Sequence, residues 1–292
     1  MLSLESFVSA IKEREINMDS VMVIQNDVTL GLHRFTDTVV HNVFSVAKSH
    51  TATAIGFAID EGKLKFTDKP VEMFADIVPA DIDPRWNDVT LWNLLTMTSG
   101  HGGPHLMVVD RKKLRGESEE KVSQEMMDEW LLFAFSCPVV YDAGEKFAYG
   151  NLAPYVAGRM LEKAVGMSIC DYLYEKMWKR MGVAKPQWDA DPSGHTFAAS
   201  DLYLDIVDMA KLGQLYVGNG MYKGERYLSE EWVKAAGANQ VASSAINPCG
   251  PAIDEEAGYG YYFWRCHEVE GAYRCYGREG QFVIVLPEKN AG

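Results

Sequence analysis

Long apolar runs, a cysteine framework and an excess of basic residues are all lacking in this sequence of 292 residues. No apolar stretch approaches the length of a membrane-spanning helix, which argues against an integral membrane protein. The formal net charge is −13, from 41 acidic and 28 basic side chains. That balance disfavours a broad phosphate-binding surface, because affinity for nucleic acid is built mainly on Lys and Arg. We therefore expect neither a nucleic acid nor a membrane as a partner.

The five cysteines are odd in number and scattered, and no two of them form a CxxC pair. They are Cys137, Cys170, Cys249, Cys266 and Cys275. This spacing suggests neither a zinc knuckle nor a disulfide frame, so we expect free thiols. The first residues also lack the basic region, apolar core and cleavage site of a signal peptide. We expect a cytoplasmic protein.

Strand patterns lie near both ends of the chain, and helical patterns lie between them. Residues 21–24 and 28–32 predict an early hairpin, and the stretches GYGYYFWRCH, AYRCYG and QFVIVLP predict late strands. From about residue 63 to 194 the patterns are mostly helical, with one long helix predicted over residues 118–135. The order predicts an α/β plus all-α fold, in which helices flank an antiparallel sheet. Residues 1–62 and 195–292 would form the sheet domain, and residues 63–194 an inserted helical lobe.

The stretch FSVAKSH, residues 44–50, places reactive side chains at the start of a predicted helix. Ser45 and Lys48 are three residues apart, so a helix puts them on one face. Lysine can take the proton of a serine nucleophile if burial lowers the lysine pKa, and the apolar neighbours favour such burial. The Ser45 N–H would then face a developing oxyanion. The alternative is that Ser45 only caps the helix, since serine is a favoured N-cap and S-x-x-K arises by chance.

A second feature is Tyr149-Gly150-Asn151, which lies just before the predicted helix LAPYVAGRML. Tyrosine can share proton transfer when a nearby ammonium lowers its pKa, and asparagine offers both a donor and an acceptor. The alternative is a buried aromatic side chain followed by an asparagine cap.

Together with these two motifs, several stretches in the same order resemble the serine β-lactamase and penicillin-binding protein superfamily, in its class C β-lactamase-like branch. These are DEGKLKFTDKP, VTLWNLLTMTSGH, PVVYDAGEKFAYGN, DLYLDIVDMAKLGQLYVGNG, RYLSEEWV and QFVIVLPEKN. S-x-x-K is the nucleophile motif of that superfamily, and Tyr-x-Asn is the second motif of the branch. The resemblance implies that Ser45 is acylated, that Lys48 and Tyr149 form a coupled proton-transfer pair, and that Asn151 binds substrate. It implies acyl transfer to water without a metal or organic cofactor.

The third motif departs from the pattern of the family, which is Lys-Thr-Gly or His-x-Gly. Here the matching residues are Cys275-Tyr276-Gly277. Without a basic side chain at the first position, we expect weak recognition of the carboxylate of a β-lactam. Arg278 follows at once and either supplies the missing charge or is a solvated turn residue. We expect Gly277 and Arg278 to contribute to substrate binding, with the Arg278 N–H as a second oxyanion donor.

The second departure is at the end of the chain. In the family, QFVIVLPEKN is followed by a further strand that lies in the middle of the sheet, whereas this chain stops at Gly292. An open gap would leave backbone hydrogen-bonding groups unpaired. One hypothesis is that the early strands pair directly with QFVIVLP, and another is that a second chain fills the gap and forms a homo-oligomer. A shortened chain of reduced stability is the alternative.

The resemblance implies a serine hydrolase that acts on a small-molecule ester, amide or β-lactam-like substrate. We expect an esterase or small-amide hydrolase rather than an efficient β-lactamase. The alternative is a non-catalytic ligand- or penicillin-binding module on the same scaffold. Hydrogen-bond distances within the triangle of Ser45, Lys48 and Tyr149, together with a lowered Lys48 pKa, would favour the enzyme. A Lys48 that pairs with a carboxylate or faces solvent would favour binding alone.

Overall fold

The structure is a computed structural model that describes residues 4–243 and 257–292. Its α-helices are α1 Leu4–Glu13, α2 Val46–Asp60, α3 Pro70–Met73, α4 Leu91–Leu95, α5 Val108–Leu114, α6 Gln124–Asp128, α7 Trp130–Ser136, α8 Leu152–Val165, α9 Ile169–Leu173, α10 Ile206–Val217 and α11 Glu230–Gly237. Its strands are β1 Ser20–Gln25, β2 Val28–Arg34, β3 Val40–Asn42, β4 Tyr203–Asp205, β5 Met221–Tyr222, β6 Glu225–Arg226, β7 Trp264–Arg265, β8 Tyr273–Gly277 and β9 Gln281–Val285.

The main antiparallel layer is built from both ends of the chain, as the sequence predicts. β1 and β2 form a hairpin, while β7, β8 and β9 pair in that order. Helix α10 packs against both β1 and β9, so the two parts of the layer share one covering helix. The predicted class, an antiparallel sheet flanked by helices with helices inserted between its strands, is confirmed. The predicted domain boundaries at residues 62 and 195 stay a prediction.

The expectation that the early strands pair directly with residues 281–287 is wrong. Residues 290–292 lie between the two strands and bond to both sides. Ile24 and Gly292 exchange two backbone hydrogen bonds, of 2.8 and 3.0 Å, and Leu286 and Ala291 exchange two more. A turn at Pro287–Lys289 reverses the chain after β9. Residues 290–292 therefore lie next to β1 and separate it from β9. The predicted filling of the gap by a second chain stays a prediction.

Helix α2 is the central element of the core. Every side chain from Val46 to Ala58 is buried, which is typical of a helix surrounded on all sides by protein. It contacts α8, α9, β8 and β9. The helix ends at Asp60, and Gly62 follows in the left-handed region with φ 70°, where glycine carries no steric cost. The nucleophile motif is therefore fixed at the start of the most enclosed helix.

The single long helix predicted over residues 118–135 is also wrong, because two capped short helices replace it. The Ser123 hydroxyl accepts from the Met126 N–H and begins α6. The Glu129 carboxylate accepts from the Leu131 N–H and begins α7. Two side chains that cap backbone donors within eight residues divide the segment, although its apolar pattern is continuous. The stretch before it holds a helix that the sequence did not predict, α5.

Candidate active site

Ser45 stands at the turn that leads from β3 into α2. The residue before it, Phe44, has φ 46°, a conformation that non-glycine residues rarely adopt. The side chain of Asn42 holds this turn by accepting from the Phe44 N–H at 2.8 Å. The Ser45 side chain caps no helix N–H, so the capping role considered for it is not formed. Its hydroxyl is half-buried and remains available for chemistry.

Lys48 lies one helical turn further on and is 1% exposed. Its ammonium nitrogen, Nζ, has three acceptors at 2.8 Å each: the Ser45 hydroxyl, the Asn151 side-chain carbonyl and the backbone carbonyl of Ala199. All three of these acceptors are neutral oxygen atoms. A lysine held in this way against a serine hydroxyl matches the arrangement that a general base requires.

Tyr149 and Asn151 approach Lys48 from the segment that leads into α8. Lys48 Nζ lies 5.0 Å from the centroid of the Tyr149 ring, which packs against Trp264 and Tyr259 at centroid distances of 5.2 and 6.3 Å. Asn151 is the residue that begins α8, and its amide nitrogen donates to the Leu106 carbonyl at 3.2 Å. The structure therefore brings Ser45, Lys48, Tyr149 and Asn151 together.

The end of β8 forms the remaining side of the site. A Cβ atom on Gly277 would lie 2.4 Å from the Val43 carbonyl oxygen and 3.3 Å from the Ser45 nitrogen, so only glycine permits this approach. The Ser45 N–H, which donates to no backbone acceptor among the described residues, lies beside this strand end. Arg278 follows on an exposed turn, with 71% of its side chain accessible and Glu279 3.8 Å away.

Cys275 occupies the position that is basic in the family and points away from solvent. It is fully buried and contacts Ser49 on α2, and burial raises the pKa of its thiol to about 12. A thiol in this state is neither a nucleophile nor a substrate anchor. The alternation of burial along β8 explains its direction, because Tyr273, Cys275 and Gly277 lie on the buried face of the strand.

A serine–histidine pair lies in the loop before α5. The Ser99 hydroxyl is 2.9 Å from His101 Nδ1, and both residues are buried. Burial lowers the pKa of His101 to about 3, and its ring packs edge-on against Trp86. Since the pair is enclosed, we interpret it as a support for the loop. Within the described residues, no three His, Cys, Asp or Glu side chains are grouped to hold a metal ion.

The sequence reasoning missed Ala199, which contributes a backbone carbonyl to Lys48 from 151 positions along the chain. An alanine carbonyl carries no side-chain signal, so no motif could have found it. None of the helices in the described ranges is both long and apolar enough to cross a bilayer. The four described cysteines are free, as predicted, and Cys249 lies outside the described residues.

Comparisons with known proteins identify the family and the fold. The family model named Beta-lactamase matches residues 5–292. The chain is 25% identical over 170 residues to the acyltransferase calJ of Penicillium decumbens, covering 53% of this chain and 39% of that protein. It is 20% identical over 255 residues to the 6-aminohexanoate-dimer hydrolase of Paenarthrobacter ureafaciens, covering 86% of this chain and 64% of that protein. The chain thus spans between about two fifths and two thirds of the length of these relatives.

Among solved structures, the octameric penicillin-binding protein homologue from Pyrococcus abyssi superposes with a TM-score of 0.75 at 22% identity. The match covers 99% of this chain and 71% of that protein. A likeness at this identity establishes the fold, while the family model covers nearly the whole sequence. The chain belongs to the β-lactamase family.

Proposed function

We propose that this protein is a serine hydrolase that cleaves a small ester or amide through an acyl-enzyme on Ser45. The observation that carries the proposal is the contact of the buried Lys48 ammonium with the Ser45 hydroxyl at 2.8 Å. Relatives described as an acyltransferase and as an amide hydrolase support acyl chemistry at such a site. Lys48 is buried against these neutral acceptors and does not face solvent, which supports catalysis over a binding-only module.

In the first half of the reaction, the Ser45 oxygen attacks the carbonyl carbon of the substrate and its proton passes to the Lys48–Tyr149 pair. The negative charge that develops on the carbonyl oxygen is stabilised by the Ser45 N–H, with the Arg278 N–H as the second donor. The proton then passes to the leaving alcohol or amine as the carbon–oxygen or carbon–nitrogen bond breaks. Ser45 is left as an ester.

In the second half, water attacks this ester while the Lys48–Tyr149 pair accepts one of its protons. The proton returns to Ser45 as the acid product leaves, so the enzyme ends in its starting state. Asn151 holds Lys48 in place and lines the same side of the cleft as the substrate acyl group. We further propose that the protein acts in the cytoplasm, where its substrate would be a small molecule.

The proposal also concerns substrate choice. Because Cys275 is buried and uncharged, the only cation that directly follows the motif strand is Arg278, whose long side chain is exposed. An exposed guanidinium meets a carboxylate weakly and with little fixed geometry. We therefore propose that neutral esters and linear amides are better substrates than β-lactams.

The test compares wild type with Ser45→Ala on three substrates: a p-nitrophenyl ester, the linear dimer of 6-aminohexanoate and a chromogenic cephalosporin. We expect the ester or the amide to be hydrolysed with a higher kcat/KM than the cephalosporin, and all activity to depend on Ser45. Unchanged hydrolysis by folded Ser45→Ala would refute the serine mechanism. Preferred cleavage of the cephalosporin would refute the substrate assignment.

A further inference from the structure

The segment from Asp191 to Ala199 ends at Lys48 and is held there by helix α2. The Ala199 carbonyl accepts from Lys48 Nζ at 2.8 Å, and the preceding carbonyl, of Ala198, accepts from the Thr51 hydroxyl at 2.8 Å. Lys48 and Thr51 are separated by three positions on α2, so the segment meets one face of the helix at two consecutive carbonyls. Thr51 and Ala198 are fully buried.

The middle of this segment is held by Glu162 on α8. One carboxylate oxygen, Oε1, accepts from the backbone N–H of Thr196 at 3.1 Å and from that of Ile169 at 3.0 Å. The other oxygen lies 2.7 Å from His195 Nδ1. Glu162 is only 6% exposed. Burial of a carboxylate is costly unless its oxygens are satisfied, and here three donors satisfy them.

Helix α8 connects this carboxylate to the catalytic site. Asn151, Tyr155, Arg159 and Glu162 follow one another at intervals of four, four and three, so they share a face of the helix. Tyr155 donates to Asp191 at 2.6 Å, and Arg159 donates to Tyr155 at 2.9 Å. One face of α8 therefore carries Asn151, which bonds to Lys48 directly. The same face carries Tyr155 and Glu162, which bond to the Asp191–Ala199 segment.

The bonding of Lys48 shows why this support matters for chemistry. A neutral amine has two N–H groups and one lone pair, and only the lone pair can accept the proton of Ser45. The carbonyl oxygens of Asn151 and Ala199 can only accept hydrogen bonds, so each takes one N–H group. In the neutral form that the proposed mechanism requires, these two carbonyls would take both N–H groups and leave the lone pair for the Ser45 hydroxyl, which lies 2.8 Å from Nζ.

We propose that Glu162 is a positioning residue for Lys48, acting through residues 195–199 and assisted at the far end by Thr51. Together they hold the Ala199 carbonyl where it fixes the orientation of the amine. This inference rests on the proposed function of Ser45 and Lys48. Several other charged or titratable groups face the carboxylate and its support: His195 and Asp191 from the segment, Arg159 from α8 and Glu129 from the start of α7.

The experiment measures the rate of Ser45 labelling by a fluorophosphonate over a series of pH values. The variants are Glu162→Gln, Thr51→Val and, as a matched control, Thr53→Val. Thr53 is an equally buried threonine on α2, but it bonds to the Ser49 carbonyl and the Tyr216 hydroxyl and does not touch the segment. Thermal unfolding of each variant at neutral pH checks that it is folded.

We expect Glu162→Gln and Thr51→Val to lower the maximal labelling rate about tenfold, because small misplacements of catalytic groups are costly. We also expect the acid limb of their pH profile to move to lower pH. A carbonyl that accepts from an ammonium favours its protonated form, so a displaced Ala199 carbonyl makes Lys48 easier to deprotonate. Thr53→Val should keep the rate and profile of the wild type.

The outcomes separate this inference from the proposed function. If wild type is not labelled at Ser45, the proposed function fails, and the inference fails with it. If wild type is labelled but both variants behave like Thr53→Val, the positioning role alone is refuted. A lower rate without movement of the acid limb would also refute it, since that pattern indicates general loss of structure. If Glu162→Gln does not fold, Thr51→Val decides the question, because valine matches threonine in shape.

Discussion

The two sides of Ser45 differ in how firmly they are held. On one side, Lys48 is buried and its nitrogen has three acceptors at 2.8 Å. On the other side, Gly277 approaches Ser45 through bare backbone, and Arg278 extends into solvent from an exposed turn. The difference indicates that the side proposed for proton transfer is fixed by bonded side chains, whereas the side proposed for substrate is fixed at the Gly277 backbone and is otherwise open.

This contrast explains how a family can keep one reaction while its substrates vary. Proton transfer depends on atoms placed within a few tenths of an ångström, so it needs buried and fully bonded groups. Substrate choice depends on side chains at the rim, which can change without disturbing α2. The following predictions test the contrast, from the largest expected effect to the smallest.

Lys48→Met should lower kcat/KM for the p-nitrophenyl ester by about 10⁴-fold, a loss of the size seen when a catalytic group of a serine hydrolase is removed. Folding should change little, since an apolar side chain of similar length in place of a buried charge is often neutral or stabilising. Steady-state kinetics and thermal unfolding measure the two effects. A variant with kcat/KM within tenfold of wild type would contradict the role of Lys48 as a base.

Gly277→Val should lower the rate of Ser45 acylation by about 100-fold, because its Cβ would lie 2.4 Å from the Val43 carbonyl oxygen and push the strand end away from Ser45. Gly103→Val is the matched control. A Cβ at Gly103 would meet no atom within 4 Å, so this variant should react like wild type. Equal rates for the two variants would show that the close approach at Gly277 is not required.

The buried helix α2 should also make the folding stability of the protein sensitive to acid. His50, two residues after Lys48, is fully buried, and burial lowers its pKa from 6.5 to about 4. Between pH 6.5 and about 4, His50 is therefore protonated in the unfolded chain but neutral in the folded chain. The stability that neutral His50 provides is present above pH 6.5 and is lost as the pH falls towards 4, by about 3 kcal/mol.

Denaturant unfolding of wild type and His50→Leu at several pH values between these limits measures this effect. The stability of the variant should fall less steeply with acid than that of wild type. Parallel curves for the two proteins would place the acid sensitivity elsewhere, for example at His101, whose pKa burial lowers in the same direction.

Arg278→Gln should have the smallest effect. For a substrate with a free carboxylate we expect KM to rise about tenfold or less, since an exposed ion pair contributes at most about 1 kcal/mol. For a neutral ester we expect no change in KM, and kcat should be unchanged for both. A large fall in kcat for the neutral ester would mean that Arg278 takes part in the chemistry and that the open side is more constrained than its exposure indicates.

Sequence reasoning reached the parts of the site that are encoded by short spacings. Ser45 and Lys48 lie one helical turn apart, so local geometry predicts that they share a face. The resemblance to the family, and not local geometry, implied that Tyr149 and Asn151 join them. The support provided by Ala199 and Glu162 could not be predicted, because it depends on a backbone carbonyl and on contacts between distant segments. The burial of Cys275 is a similar case, since the face of β8 that meets α2 is decided by tertiary packing.

In the fold, the predicted sheet and most helices follow from apolar periodicity. The predictions were wrong where hydrogen bonds to the backbone decide the structure. Glu129 divides a segment that reads as one helix, because its carboxylate caps the start of α7. Residues 290–292 enter the sheet through backbone hydrogen bonds and one bond between the Asn290 and Asn26 side chains, and Ala291 and Gly292 offer no strand pattern that would predict this. A hydrophobic pattern carries no information about such hydrogen bonds to the backbone.

The most direct test of the central claim, that Ser45 is an activated nucleophile, is to map the residue that a fluorophosphonate labels in the folded protein. The account predicts one adduct per chain, on the peptide that contains Ser45, and no adduct in Ser45→Ala or Lys48→Met. An adduct on another residue, such as Ser99, or no adduct in folded wild type, would contradict it.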